Sequence, residues 1–297
     1  MNKRILALLA ALLATSIFGF NHTIAKELMP DVLSPNALLY CRVFGAAVLF
    51  WFISFFLKWE KVEIKDFKLI IVCTFFGMGL NMITSLHGLY NSTPINSAII
   101  TTLAPIFIFL ISVILIKEKI TKRKYLGVFI GFCGTLTLIL LNEKTVINAP
   151  NINLGNFYFL INSVSYALYF VLVKPLTKKY NMITIMKWLF LFSIFINMPF
   201  GLVEFTKINW VEISGTSLLK VSYVVICTTF LVYLLNLYAL KNLKASTVGM
   251  FIYLQPVIGI LFAIYRGADK LTLADISSVL LVFTGVYLVS KKTSKAT

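Results

Sequence analysis

The chain contains one sequence pattern twice, 151 positions apart: LAPIF (103–107), EKIT (118–121) and Gly134 in the first copy, and LQPVI (254–258), DKLT (269–272) and Gly285 in the second. Around this pattern, residues 88–139 align without a gap on residues 239–290. We therefore predict two units of one fold, 1–143 and 144–297.

Composition places both units in a membrane. Hydrophobic residues make up 59% of the 297 residues, above the 45–50% apolar share typical of soluble domains, and only 13% are charged. The charges lie in short clusters between apolar runs of about 20 residues, the length that spans a bilayer as a helix. The net charge of +16 belongs to residues that flank these runs, so nucleic acid is not an expected partner.

The apolar runs predict an all-α polytopic membrane protein with ten transmembrane helices in two inverted five-helix repeats. The predicted spans are 5–25, 34–57, 68–90, 94–116, 123–141, 154–174, 183–204, 217–240, 245–266 and 272–290. With the amino terminus inside, 20 Lys and Arg residues lie in inside segments and six in outside segments. This bias predicts that both termini are cytoplasmic, in the inner (plasma) membrane.

An odd number of spans per repeat inverts the second repeat relative to the first. Inverted repeats are the common architecture of secondary transporters, in which two halves enclose a site near the bilayer midplane. The sequence contains no Walker motif, HExxH, GxSxG or pair of buried carboxylates, so we expect neither ATP hydrolysis nor an enzyme. No cofactor or metal site is expected.

Several motifs carry a family resemblance. They are Phe18-Gly19, LAPIF (103–107), KEKIT (117–121), Gly127 and Gly134 in the first copy, and Gln255-Pro256, Asp269-Lys270-Leu271-Thr272 and Gly285 in the second. The chain resembles the drug/metabolite transporter superfamily, EamA type, over nearly its whole length. The first helix has Phe18-Gly19 where the family has Trp-Gly. The resemblance implies export or exchange of small metabolites through a central cavity.

Arg42 is a cation inside a predicted span. A charge there costs about 2.5–3.5 kcal/mol on insertion scales, so it should face the bundle interior or water. We expect one of two roles for Arg42. It binds a carboxylate or phosphate of the substrate, for which its planar guanidinium is suited. Alternatively, it is structural, and its guanidinium contacts helix-end carbonyls or extends to the membrane interface.

His22 and His87 are predicted at a depth similar to that of Arg42. The three would form a vestibule that attracts anions, in which histidine can also carry a proton, or each histidine bonds a backbone carbonyl. Asn21, next to His22, is a further candidate substrate-binding residue.

The sixth predicted helix has a polar face. Asn162, Ser165, Tyr166 and Tyr169 follow one another at intervals of three and four residues, which places them on one side of a helix. We predict that Asn162, Tyr166 and Tyr169 line a cavity, although Asn and Ser also join helices. Further candidate substrate-binding residues are Asn81, Asn236 and Gln255, and the alternative for Gln255 is that its amide bonds the backbone carbonyls released by Pro256.

Pro105 and Pro256 occupy equivalent positions in the two copies. We expect both to bend their helices, either as pivots for alternating access or as static kinks. Helices 1, 3, 4, 6, 8 and 9 should line the central site, and the glycine-bearing helices 5 and 10 should support them from the periphery.

The predicted function is a secondary active or facilitative transporter, an exporter or exchanger of amino acids or related compounds. Proton-coupled carriers commonly use a carboxylate within the membrane, and no Asp or Glu lies in the middle of a predicted span. We therefore expect a facilitator or exchanger, or a carrier that is coupled to protons through histidine. The alternative is a lipid or undecaprenyl-type flippase, or a multidrug carrier, on the same fold. The expected partners are a small-molecule substrate and membrane lipid, and the sequence leaves the oligomeric state open.

Overall fold

The computed structural model describes residues 3–92, 100–118, 121–141, 150–255, 257–258 and 273–290. Within these residues every regular element is helical. The helices are α1 (Lys3–Leu28), α2 (Pro35–Ser54), α3 (Ile64–Asn91), α4 (Ala104–Ile116), α5 (Lys122–Leu141), α6 (Ile152–Lys179), α7 (Met182–Thr206), α8 (Gly215–Asn242), α9 (Ala245–Gly249) and α10 (Leu273–Ser290).

Six of these helices, α1, α2, α3, α6, α7 and α8, are long and apolar enough to cross a membrane. Shorter apolar helices cover Ala104–Ile116 and Val279–Val289. This part of the structure is compatible with a polytopic membrane protein. The ten predicted spans and the cytoplasmic termini stay predictions.

The helices pack in pairs that repeat between the two halves of the chain. Helix α1 packs against α8, and α6 packs against α3. Helices α2 and α7 pack together, as do α4 and α9, and α5 and α10. Each helix of the first half therefore has a counterpart five helices later that makes the equivalent contact: the α1–α8 pair corresponds to the α6–α3 pair, and the other three pairs join a helix to its own counterpart. Two repeats of one fold are expected to pack in this way.

The α5–α10 pair packs through glycines. A Cβ added to Gly285 would lie 2.6 Å from the carbonyl oxygen of Gly127, and one added to Gly127 would lie 2.9 Å from that of Gly285. Small residues allow such backbone contact between membrane helices. The outer faces of α5 and α10 expose large apolar side chains, among them Phe129 and Phe283.

Helices α3 and α8 each change from α-helical to π-helical geometry near the middle. The π-helical segments are Phe75–Leu80 in α3 and Tyr223–Leu231 in α8. An offset of 151 places these segments at equivalent positions of the two copies. π-Helical turns are rare and often mark functional sites, because they alter the direction of the side chains that follow.

Pro105 lies at the start of a helix and does not bend the interior of one. Residues 102 and 103 form a turn, and α4 begins at Ala104. Because proline lacks an N–H, the first turn of a helix accommodates it without losing a hydrogen bond. In the second copy, a 3₁₀ turn at Met250–Tyr253 interrupts the predicted span. Pro256 lies outside the described residues.

Candidate functional site: a central cavity

A cavity of about 70 Å³ lies at the centre of the helix bundle. On the scale on which one water occupies about 10–15 Å³, it holds several water-sized groups. Its lining comes from α1, α3, α4, α6, α8 and the α9 region, the six helices expected to line the site. The lining includes Asn81, Asn162, Tyr166, Tyr169, Tyr233, Asn236, Val248 and Gln255.

The cavity wall is polar and aromatic. Among the described residues that line it, none is an Asp, Glu, Lys, Arg or His. Amide and hydroxyl groups orient a ligand through hydrogen bonds, and the tyrosine rings contribute apolar contact area. Such a wall suits a small compound that has polar groups and no net charge.

Asn81 and Asn162 form a reciprocal contact between α3 and α6. The Asn81 Nδ2 donates to the backbone oxygen of Asn162 at 3.2 Å, and the Asn162 Nδ2 donates to the backbone oxygen of Asn81 at 2.8 Å. Each side-chain amide thus uses one of its two N–H groups between the helices. Both residues line the cavity, and their Oδ1 atoms remain as hydrogen-bond acceptors for a ligand.

Tyrosine rings form one side of the cavity. The ring centroids of Tyr166 and Tyr169 are 6.3 Å apart, and those of Tyr169 and Tyr233 are 6.0 Å apart. The Tyr233 hydroxyl donates to the backbone oxygen of Gly77 at 3.2 Å, in the π-helical segment of α3. The Asn236 Nδ2 donates to the Tyr166 hydroxyl at 3.4 Å. The Tyr169 hydroxyl is buried and makes no hydrogen bond to the described protein.

Arg42 lies outside the cavity lining. The residue is 2% exposed, and its Nε donates to the Thr229 Oγ1 at 3.0 Å. Thr229 belongs to the π-helical segment of α8, and its hydroxyl also donates to the Val224 carbonyl at 2.8 Å. No carboxylate forms an ion pair with Arg42 in the described part of the chain. Its position fits a structural contact between α2 and α8.

His87 belongs to a separate polar network that links α2, α3 and α7. Its Nε2 lies 2.8 Å from the Asn36 Oδ1, and the Asn36 Nδ2 donates to Glu204 at 2.9 Å. Ser34 also donates to Glu204. No contact in the described structure joins Arg42 to His87. The side chain of His22 lies outside the described residues.

The structure brings six of the predicted site residues together and leaves others apart. The lining includes Asn81, Asn162, Tyr166, Tyr169, Asn236 and Gln255. Asn21 is buried, is not part of the lining, and has a side-chain oxygen without a hydrogen bond to the described protein. Sequence reasoning missed Tyr233, although it lies three residues before Asn236 and therefore on the same face of α8.

Comparison with known proteins gives a consistent result. The model of the EamA-like transporter family matches residues 5–140 and 153–291. An uncharacterized transporter of Archaeoglobus fulgidus is 29% identical over 88% of this chain and 90% of its own length. The uncharacterized transporter YoaV of Bacillus subtilis is 22% identical over 95% of each chain. One crystal structure superposes with a TM-score of 0.74, at 16% identity, over 96% of this chain and 95% of its own, which supports the fold.

Proposed function

Since this chain belongs to the EamA-like transporter family, we propose that it is a secondary carrier of small polar or amphipathic metabolites. The substrates are amino acids or related compounds, which it exports or exchanges across the plasma membrane. The family relationship supports a multi-pass membrane transporter with a small-molecule substrate. The substrate class and the mechanism are our proposal.

One observation carries the proposal, namely the cavity between the two halves of the chain. Helices α1, α3 and α4 supply one part of its wall, and α6, α8 and the α9 region supply the other. In carriers built from inverted repeats, the substrate site lies at the interface of the repeats. Rocking of one repeat against the other then exposes the site to each side in turn.

The chemistry of the wall favours a compact substrate with hydrogen-bond donors. The Oδ1 atoms of Asn81 and Asn162 can accept hydrogen bonds, and the Gln255 amide, which also lines the cavity, makes no hydrogen bond to the described residues. The tyrosine faces attract a cationic group such as an ammonium. A zwitterion combines an ammonium group with zero net charge, which matches a lining in which none of the described side chains is charged.

Transport assays in proteoliposomes test this proposal. We would measure counterflow of labelled amino acids, nucleobases and organic acids, with and without a pH gradient. We expect one class of small zwitterionic compounds to accumulate in exchange without a gradient. Accumulation that requires the gradient would point to proton coupling, with His22 and His87 as candidates.

A matched pair of variants ties the transport to the cavity. Asn162→Ala removes an acceptor from the cavity wall and should reduce counterflow. Asn156→Ala, at the start of the same helix, removes an amide that accepts a hydrogen bond from Ser92 outside the cavity. We expect little effect from it. Folded protein that exchanges no compound of the panel, and instead translocates labelled lipid, would contradict the metabolite proposal and favour the flippase alternative.

A further inference from the structure

A buried ion pair lies next to the start of α9. The Lys124 Nζ donates to the Glu118 Oε1 at 3.2 Å, and the two side chains are 4% and 5% exposed. The same Nζ donates to the Ser246 Oγ at 2.7 Å and lies 3.4 Å from the Thr247 Oγ1. The Ser246 hydroxyl also donates to Glu118. Two residues of the first repeat thus hold the first turn of α9, which belongs to the second repeat.

The end of α4 directs Glu118 towards this turn. Lys117 adopts a left-handed backbone conformation, with φ of 50° and ψ of 42°. The Glu118 N–H donates to the Ser112 carbonyl at 3.0 Å, which satisfies one of the carbonyls left free at the end of α4. Lys124 follows in the first turn of α5. The turn between α4 and α5 therefore presents both charges to α9.

The held segment continues directly into the wall of the cavity. Ser246 and Thr247 are buried, and the next residue, Val248, lines the cavity. A Cβ added to Gly249 would lie 2.9 Å from the Ile108 side chain, so α9 and α4 are in close contact here. A displacement of this turn would open the end of the cavity that the charge bias predicts to be cytoplasmic.

A second lysine holds the segment that precedes α9. The Lys174 Nζ, near the end of α6, donates to the Leu240 carbonyl at 2.7 Å and also to the Leu243 carbonyl. These carbonyls belong to the end of α8 and to the connection that follows it. The connection between α8 and α9 is thus held from both sides, by Lys174 and by the Glu118–Lys124 pair.

The second repeat has no equivalent ion pair in its sequence. The offset of 151 places Asp269 at the position of Glu118 and Asp275 at the position of Lys124. Two acidic residues repel each other and cannot form the contact that Glu118 and Lys124 make. The sequence of the second repeat therefore does not reproduce the pairing of opposite charges that Glu118 and Lys124 form.

We propose that Glu118 and Lys124 form a clasp on Ser246 and Thr247 that keeps the cavity closed at its predicted cytoplasmic end. This inference rests on the proposed transport function. Opening requires that the buried charges separate or move together into water. Removal of one partner leaves an uncompensated charge in a buried place, which disfavours the closed state. The clasp therefore positions the α9 turn and sets the balance between the closed and open forms.

Labelling of a single cysteine tests the clasp independently of any substrate. Val248→Cys is introduced after the four native cysteines, Cys41, Cys73, Cys133 and Cys227, are replaced by serine. The rate of its reaction with a membrane-impermeant maleimide is then measured in vesicles of each orientation. Glu118→Gln and Lys124→Gln should each raise the rate from the predicted cytoplasmic side by about tenfold, which corresponds to about 1.4 kcal/mol in the closing equilibrium.

The controls separate the clasp from a general loss of structure. Lys122→Gln removes an exposed charge from the same turn and should leave the rate unchanged. Ser246→Ala removes the shared hydroxyl without leaving an unpaired charge, so it tests the clasp even if the charge variants fail to fold. The exchange Glu118→Lys with Lys124→Glu should restore protection.

Two results would overturn the proposal. One is an unchanged labelling rate in folded Glu118→Gln, Lys124→Gln and Ser246→Ala. The other is a faster rate from the opposite side only. Failure of the counterflow assay would leave this measurement intact, because labelling requires no transported compound.

Discussion

At the scale of single residues, Arg42 shows how a buried charge is accommodated. Its Nε bonds Thr229, and no described carboxylate pairs with it. Thr229→Ala should lower the free energy of unfolding by about 1–3 kcal/mol, because a buried charged group loses its hydrogen-bond partner. Thr228→Ala is the matched control, since among the described residues that buried hydroxyl bonds only the Val224 carbonyl of its own helix. The stabilities of Thr229→Ala and Thr228→Ala would be compared by thermal unfolding in detergent. Equal losses of stability in the two variants would argue against a structural role of the Arg42–Thr229 bond.

Tyr169 and Tyr253 form a second informative pair. Both hydroxyls are buried without a hydrogen bond to the described protein, but only Tyr169 lines the cavity. Removal of an unsatisfied buried hydroxyl should leave the stability unchanged or raise it by about 1 kcal/mol in both Tyr→Phe variants. We expect only Tyr169→Phe to weaken substrate binding, by about tenfold if the hydroxyl bonds the substrate. Counterflow and thermal unfolding would be measured for both variants. Equal transport by Tyr169→Phe and Tyr253→Phe would refute a role of the Tyr169 hydroxyl in substrate binding.

At the scale of helices, the π-helical segment of α3 places its backbone in close contact with the Tyr169 ring beside the cavity. Gly77 belongs to this segment, and a Cβ added there would lie 2.5 Å from the Tyr169 ring. Gly77→Ala should push that ring towards the cavity and reduce counterflow, with a smaller effect on assembly of the bundle. Gly215→Ala is the control, because no heavy atom lies within 4 Å of the added carbon at the start of α8. Full activity of Gly77→Ala would show that the close approach has no role in the site.

At the scale of the whole molecule, ion pairs join the repeats at helix ends that should lie on opposite faces, and Lys179 takes part in two of them, with Asp66 and with Glu63. Glu27 at the end of α1 pairs with Lys220 near the start of α8 at 2.6 Å. Lys179 at the end of α6 pairs with Asp66 near the start of α3 at 2.5 Å. In a rocking mechanism, opposite motions break the two pairs.

Cross-linking tests this rocking mechanism. Cysteines at positions 27 and 220, or at 66 and 179, would be joined by a bifunctional thiol reagent, because long charged side chains separate the backbones beyond the reach of a disulfide. Each cross-link should abolish counterflow, since it holds one side closed. Single-cysteine variants treated with the same reagent are the controls. Undiminished flux in a fully cross-linked sample would rule out rocking about these contacts.

Local patterns in the sequence determined much of this protein. The EamA-type relationship was predicted from motifs at fixed spacing, and the family match confirms it. The polar face of α6 was predicted from intervals of three and four residues, because a helix repeats every 3.6 residues whatever it packs against. Asn81, Asn236 and Gln255 are candidates from the sequence as single polar residues on other helices, and the structure places all three in the cavity lining.

Only the tertiary structure decided which side chains meet. Arg42 contacts Thr229, 187 positions away, and Lys124 contacts Ser246, 122 positions away. Nothing in the local pattern encodes these partners, because the direction of a side chain depends on the π-helical segments and on the packing of helices far apart in the chain. Hydrophobic runs and helical periodicity thus determined which segments are apolar helices and which faces are polar. The non-local packing of those helices decided which polar groups surround the cavity and which contact the start of α9.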